Sequence, residues 1–249
     1  VVSVVKIVAR KDHPLLGTAR SQLSGKRRKP TRLDHVERAP TRLDHVETEE
    51  FWRYMWKLLG LKHINVVQYH QFFADSTSFY FVMEKCPGRT MLDHLLAASS
   101  WQESAVRPLM RQLLQGLQYI HGLGIVHRDI KLENLMILPA VAGDAAMKDS
   151  GHGVQLKILD FGLGCEATAA YGTIGTLGYM APEIFSAEYH SCGVDIFAAG
   201  VVLHILFTGR PAFQPPIHVR SLESHVQALT RGPDMQKHPL PIVTANGRD

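Results

Sequence analysis

Apolar and polar positions along the chain fall into short segments of two different periods. Residues 2–8, VSVVKIV, are mostly β-branched and predict a strand. From Glu47 to Leu61 the period becomes helical, with Phe51, Met55, Leu58 and Leu59 on one side. Two strand-like runs follow, INVVQYHQFF and SFYFVMEK, split by ADST, and CPGRT then reads as a linker. Ser100-Trp101-Gln102-Glu103 has the form of a capping box, in which hydroxyl and carboxylate satisfy each other's exposed backbone donors. It opens a long amphipathic helix carrying Leu109, Leu113, Leu117 and Ile120, with Pro108 expected near the start, where N–H groups lack partners anyway. LPAVAGDAAMKDSGHG is an unpatterned loop, VQLKIL a strand and GVDIFAAGVVLHILFTG an apolar helix. The tail from Gly232 to Asp249 is polar and contains proline, and predicts no element.

This order gives an α+β chain: a small strand-rich lobe with one helix (1–83), a connection at 84–90, and a larger helical lobe (91–249). A polar, basic stretch from Lys11 to Pro40 interrupts the first lobe, and TRLDHVE recurs there at 31–37 and 41–47. Two short copies are too few for a stacked-repeat fold, so a local duplication within an inserted loop, 9–46, is expected. The net charge of +4 does not by itself indicate a nucleic-acid partner, and Lys26-Arg27-Arg28-Lys29 is short enough to be a solvated loop. Cys86, Cys165 and Cys192 form no CxxC pair, which suggests reduced thiols rather than disulfides or zinc. The longest apolar runs, such as GVVLHILF, are too short to span a bilayer, and the N-terminus lacks a basic leader. A cytoplasmic protein is expected.

The chemistry concentrates in HRDIKLEN, residues 127–134. Moving a γ-phosphoryl group to a hydroxyl is chiefly a matter of position and charge. It needs an acid to take the hydroxyl proton, a cation to neutralise the phosphoryl, and oxygen ligands for Mg²⁺. Asp129, Lys131 and the carbonyl of Asn134 can fill these roles, and KILDFG supplies a second metal ligand, Asp160. Mg²⁺ suits so sparse a set because it keeps several waters and takes one or two protein oxygens plus phosphate.

In order, VVK ending at Lys6, HRDIKLEN, DFG and APE (181–183) resemble the signature set of a protein kinase domain over roughly residues 1–230. The resemblance implies a bilobal kinase fold with a truncated small lobe, and ATP as phosphoryl donor. It gives Lys6 the α- and β-phosphates, and Glu84 and Cys86 backbone contacts to the adenine edge. Met83 becomes the gatekeeper, Val4 the roof and Met136 the floor of the adenine site. Thr176, in GTLGYMAPE, would bridge Asp129 and Lys131, and Asp195, in GVDIFAAG, would anchor the catalytic loop. Lysine two places after the acid is similar to Ser/Thr kinases. VMEKCPG, GLQYIHGLGIVHRDIKLEN and YMAPEIF are most similar to the calcium/calmodulin-dependent group, above all the calcium-dependent protein kinases.

The family's partner acid for Lys6 aligns with Tyr54, so Glu50, one turn earlier, takes that place; a merely solvated Glu50 is the alternative. A snorkelling role for Lys6 is likewise open. The Gly-rich loop has no room before Lys6, and the Arg that pairs with Glu183 has no counterpart before Asp249, so an incomplete chain is expected, with a degenerate protein as the alternative. The position usually phosphorylated aligns with Gly172, beside Thr173; Arg128 would hold that phosphate, and Thr168 and Thr173 are the remaining acceptors. The acid that reads a substrate arginine aligns with Thr90, while Glu133 is retained, which leaves a basic protein substrate as the expectation. No calcium loop of DxDxDG type occurs in these residues. The reading is an ATP- and Mg²⁺-dependent Ser/Thr protein kinase, monomeric, with no nucleic-acid or membrane partner. Its rival is a catalytically impaired, pseudokinase-like binding module.

Overall fold

The computed structural model describes residues 3–9, 49–75, 77–98, 101–139, 154–186, 189–213 and 222–232. The basic cluster 26–29, the TRLDHVE repeats, Ser100, the loop 140–153 and the tail after Gly232 lie outside them. The fold is α+β, and the chain divides into two compact units, Val1–Leu61 with Gln68–Lys85, and Lys62–Val67 with Cys86–Asp249.

The first unit is a three-stranded antiparallel sheet in the order β1-β3-β2, from β1 (Ser3–Ala9), β2 (Tyr69–Ala74) and β3 (Ser78–Glu84). Across the central pair Val4 faces Met83, Lys6 faces Phe81 and Val8 faces Phe79, so these six share one face. Helix α1 (Glu49–Leu59) covers that face, with the Phe51 ring 5.0 Å from Phe79 and 6.0 Å from Phe72. Its buried stripe is Phe51, Tyr54, Met55 and Leu58, at helical spacing. Leu59, expected on the inner side, is only half-buried, and Tyr54 takes its share of the core.

INVVQYHQFF is not one strand. Pairing in β2 starts at Tyr69, and residues 64–67 belong to the second unit. There Asn65 O accepts from Ile158 N–H (2.8 Å) and Val67 N–H donates to Ile158 O (2.9 Å). The buried Asn65 Nδ2 donates to Gln112 Oε1 (3.0 Å) and Leu156 O (2.9 Å), while Gln112 Oε1 also accepts from Leu156 N–H (2.8 Å). Buried amides are kept only when paired. Asn65→Leu, similar in size but unable to donate, should therefore cost about 1–3 kcal/mol, read as a lower urea midpoint at unchanged slope.

CPGRT is not a plain linker either. Arg89–Thr90 form β4, which pairs with β6 (Leu135–Pro139); β6 pairs in turn with β7 (Val154–Ile158). Thr90 then caps α2 (Met91–Ala98): its Oγ1 accepts from Asp93 N–H (3.1 Å), and Asp93 Oδ2 accepts from Thr90 N–H (3.0 Å) and Oγ1 (2.7 Å). Those hydrogen bonds from Thr90 hold the Asp93 carboxyl below its ordinary range. The capping box is thus TMLD, not SWQE. Helix α3 (Glu103–Gly122) begins with Gln102 as N-cap and no side-chain cap; Glu103 is its first residue and pairs with Arg107 instead. Pro108 also lies deeper than expected. Val106 N–H already has a helical partner in Gln102 O, so Pro108 removes a bond the helix would otherwise make.

The buried stripe of α3 runs from Val106 through Leu109, Leu113 and Leu117 to Ile120. Gly116 sits where α3 meets β7: a Cβ there would stand 2.7 Å from Ile158 Cδ1. Helix α4 (Gly193–Thr208) is apolar nearly all round and ends at Gly209, whose φ of 66° a side chain would resist. A ribbon of β5 (Ile125–Val126) and β8 (Cys165–Glu166), and helix α5 (Leu222–Arg231), complete the described elements. Among the described residues no helix is long and apolar enough to cross a membrane.

Candidate active site

The loop between β5 and β6 carries residues 127–134 and closes in a 3₁₀ turn, Leu132–Asn134. It is anchored from α4. Asp195, almost fully buried, accepts from His127 N–H (2.8 Å) and Arg128 N–H (2.8 Å), and meets His121 Nε2 at 2.8 Å. A buried carboxylate persists only when its oxygens are saturated in this way. His127 is fully buried and ties the loop to the end of β7. Asp129 N–H donates to its Nδ1 (3.2 Å), so Nε2 bears the proton and donates to Leu159 O (2.8 Å). The ring packs edge-on against Phe161, 4.8 Å between centroids. Arg128 holds φ at 61°, a left-handed strain set by the two amides that Asp195 receives.

With the backbone fixed, three side chains converge on Asp129. Oδ1 accepts from Thr176 Oγ1 (2.5 Å), and Oδ2 accepts from Asn134 Nδ2 (2.9 Å) and Lys131 Nζ (2.8 Å). Lys131 also donates to Thr176 Oγ1 (2.8 Å), which closes an acid–lysine–hydroxyl triangle. Asn134 gives its second amide hydrogen to Asp129 O (2.8 Å), so both N–H bonds point into the loop and its Oδ1 is left to accept from elsewhere. Leu159 N–H donates to Asn134 O (2.8 Å), which puts the next residue, Asp160, beside this turn. Asp160 also adopts a left-handed backbone, φ 57°, and its Oδ1 accepts from Gly162 N–H (3.1 Å) at the start of the turn Phe161–Leu163. Among the described residues no cage of three or more His, Cys, Asp or Glu side chains forms. The oxygen pair of Asn134 and Asp160 is a donor set that fits Mg²⁺, which needs no such cage.

Thr176 is delivered by the segment after Asp160. Gly175 takes φ 141° and packs so closely that a Cβ would lie 2.9 Å from Arg128 O. Burial pushes the Cys165 thiol up to about 11, and burial together with the nearby Glu133 carboxylate raises the Tyr179 hydroxyl to about 12, so both stay protonated at neutral pH.

The remaining expected residues fall in both units. Val4, Lys6 and Met83 share the α1-covered face of the first sheet, and Glu84 Oε1 accepts from Gln68 N–H (2.8 Å). Tyr54 is buried in that unit's core, and the side chain of Glu50 lies outside the described residues. In the second unit Cys86 is a half-buried thiol outside any disulfide, and Met136 pairs with Thr90 on one side and Lys157 on the other. Two residues of this region had no signal in the sequence. His121 reaches Asp195 across 74 residues of chain, and His190 reaches Gly172 across 18.

A family model described as the protein kinase domain matches residues 38–241. The chain belongs to the protein kinase family. Among curated relatives, this kinase domain is 37% identical over 157 residues to a serine/threonine-protein kinase of Drosophila persimilis, covering 63% of this chain and 20% of that one. It is 34% identical over 156 residues to calcium/calmodulin-dependent protein kinase type II of Caenorhabditis elegans, covering 61% and 20%. The chain thus spans about one fifth of the length of the curated relatives it matches. The crystal structure of the Rad53 kinase domain and SCD2 superposes with a TM-score of 0.56 at 28% identity, covering 74% of this chain and 61% of that one.

Proposed function

We propose that the chain transfers the γ-phosphoryl group of ATP to a serine or threonine hydroxyl of a protein substrate. The observation that carries this is the Asp129 carboxylate, buried yet saturated by Thr176, Lys131 and Asn134. Asp129 accepts the proton of the attacking hydroxyl as its oxygen bonds to phosphorus and ADP departs. Lys131 places a positive charge beside the transferred group, and Thr176 keeps acid and lysine in register. Asn134 and Asp160 hold Mg²⁺, which when bound neutralises phosphate charge. A binding module has no need of this set, so the catalytic reading is preferred to the rival.

Val4, Lys6 and Met83, on one sheet face, support a nucleotide-contacting role for these three. Glu84, Cys86, Met136 and Glu50 take the nucleotide roles the family gives them. The division of the chain at Lys85 and Cys86 supports reading 84–90 as the hinge. The exposed Glu133 supports a basic substrate, whereas Thr90 is committed to its cap. The nematode relative supports placement in the calcium/calmodulin-dependent group.

Asp160→Ala tests the metal assignment. Transfer from Mg²⁺·ATP to a basic serine peptide should fall by about a hundredfold or more, and excess EDTA should abolish it in the parent chain. Full turnover by the variant would remove Asp160 from the metal site.

A further inference from the structure

Just before Thr176, three consecutive backbone carbonyls each take a donor from a buried residue. Ala170 O accepts from His190 N–H (2.8 Å), and Tyr171 O accepts from Arg128 Nη1 (3.2 Å). Gly172 O accepts from His190 Nε2 (2.9 Å) and, within the loop, from Ile174 N–H (3.0 Å). His190 is 4% exposed and Arg128 6%, and an isolated antiparallel bridge between Tyr171 and Tyr189 brings His190 into place. The loop they grip is otherwise poorly supported: Tyr171, Gly172 and Thr173 are exposed. Ordering each such residue costs about 1–2 kcal/mol of backbone entropy, which the carbonyl bonds must offset.

We propose that His190 is a positioning residue for this segment. Its main-chain and ring N–H groups clamp 170–172 and so fix the approach of Thr176 to Asp129 in the chain as synthesised, with no covalent group on the loop. Only the consequence for phosphoryl transfer rests on the kinase reading; the clamp itself does not. Trimming a buried histidine also leaves a cavity, so the clamp rests on recovery when a side-chain N–H donor is restored and not on the loss alone. Arg128 supplies the neighbouring grip from the residue next to the acid, so loop and catalytic carboxylate share one anchor.

The test uses the full chain, shown by intact mass to carry no phosphate, with His190→Ala and His190→Gln. Both variants keep the main-chain bond to Ala170 O, and the glutamine amide can still reach Gly172 O. Hydrogen exchange is followed at the amides of Ile174 and Tyr179, which donate to Gly172 O and Thr176 O, with Leu156 and Ile158 as references for the intact fold. The expected result is protection of Ile174 and Tyr179 in the parent, exchange about five- to tenfold faster in the alanine variant, and recovery in the glutamine variant, with the references unchanged. Equal rates in parent and alanine variant, or an unprotected segment in the phosphate-free parent, overturn the clamp. A peptide assay supplies the second readout: kcat/KM should fall by a similar factor, chiefly through KM for the peptide, with KM for ATP unchanged. If the parent transfers no phosphoryl group while the exchange difference holds, the kinase reading fails and the clamp stands.

Discussion

Asp129→Asn should lower phosphoryl transfer by about a thousandfold or more while the domain stays folded. Loss of a positioned general base typically costs 10²–10⁴-fold, and the local hydrogen bonding lets the fold tolerate the change. The carboxamide can turn its oxygen toward Lys131 and Asn134, which donate to Oδ2, and its NH₂ toward Thr176, whose oxygen accepts as well as donates. The geometry is kept and the proton acceptor is lost. Single-turnover transfer to a serine peptide, alongside urea unfolding of both proteins, measures the two quantities separately. A variant retaining a tenth of the parent rate would show that Asp129 is not the base.

The second large effect falls on stability. Asp195→Leu would strip acceptors from His127 N–H, Arg128 N–H and the His121 ring at once. Each buried group left unpaired costs about 1–3 kcal/mol, so a loss of roughly 3–6 kcal/mol is expected. That is comparable to the whole stability of many domains, about 5–15 kcal/mol. Asp195→Asn, which keeps one acceptor oxygen, should lose markedly less. The order of urea midpoints, parent above Asn above Leu, is the outcome to check. Equal midpoints for parent and Leu would mean that the loop is anchored elsewhere.

The parts that could be read from sequence were those encoded locally. HRDIKLEN places Asp129, Lys131 and Asn134 within one short loop, and the period-2 and period-3.6 runs marked β1, β3, α1, α3 and α4. The errors have one cause: short-range patterns were read without their tertiary competitors. SWQE reads as a cap, but α3 takes Gln102 as its N-cap and Glu103, already inside the helix, pairs with Arg107. The cap that forms, TMLD, opens a different helix, α2, because β6 fixes Thr90 where that helix must start. INVVQ looked like a strand, but Asn65 is drawn away by Gln112 and the β7 backbone. Helices α2 and α5 escaped notice because each is short. Residues that act across the fold, His121 and His190 above all, have no sequence signature, because their partners are a carboxylate 74 residues away and a carbonyl 18 residues away.

The anchoring of the acid-bearing loop by Asp195 also bears on biosynthesis. Arg128 and its acceptor are 67 residues apart in the chain. At a synthesis rate of about 5–20 residues per second, the ribosome delivers that acceptor roughly 3–13 seconds after the loop itself. For that interval the nascent chain carries its signature motif with two main-chain amides unanswered, accessible to whatever binds extended polypeptide. A transcript ending anywhere between the codons for Asn134 and Asp195 would encode the complete HRDIKLEN sequence and none of the anchor that gives it shape.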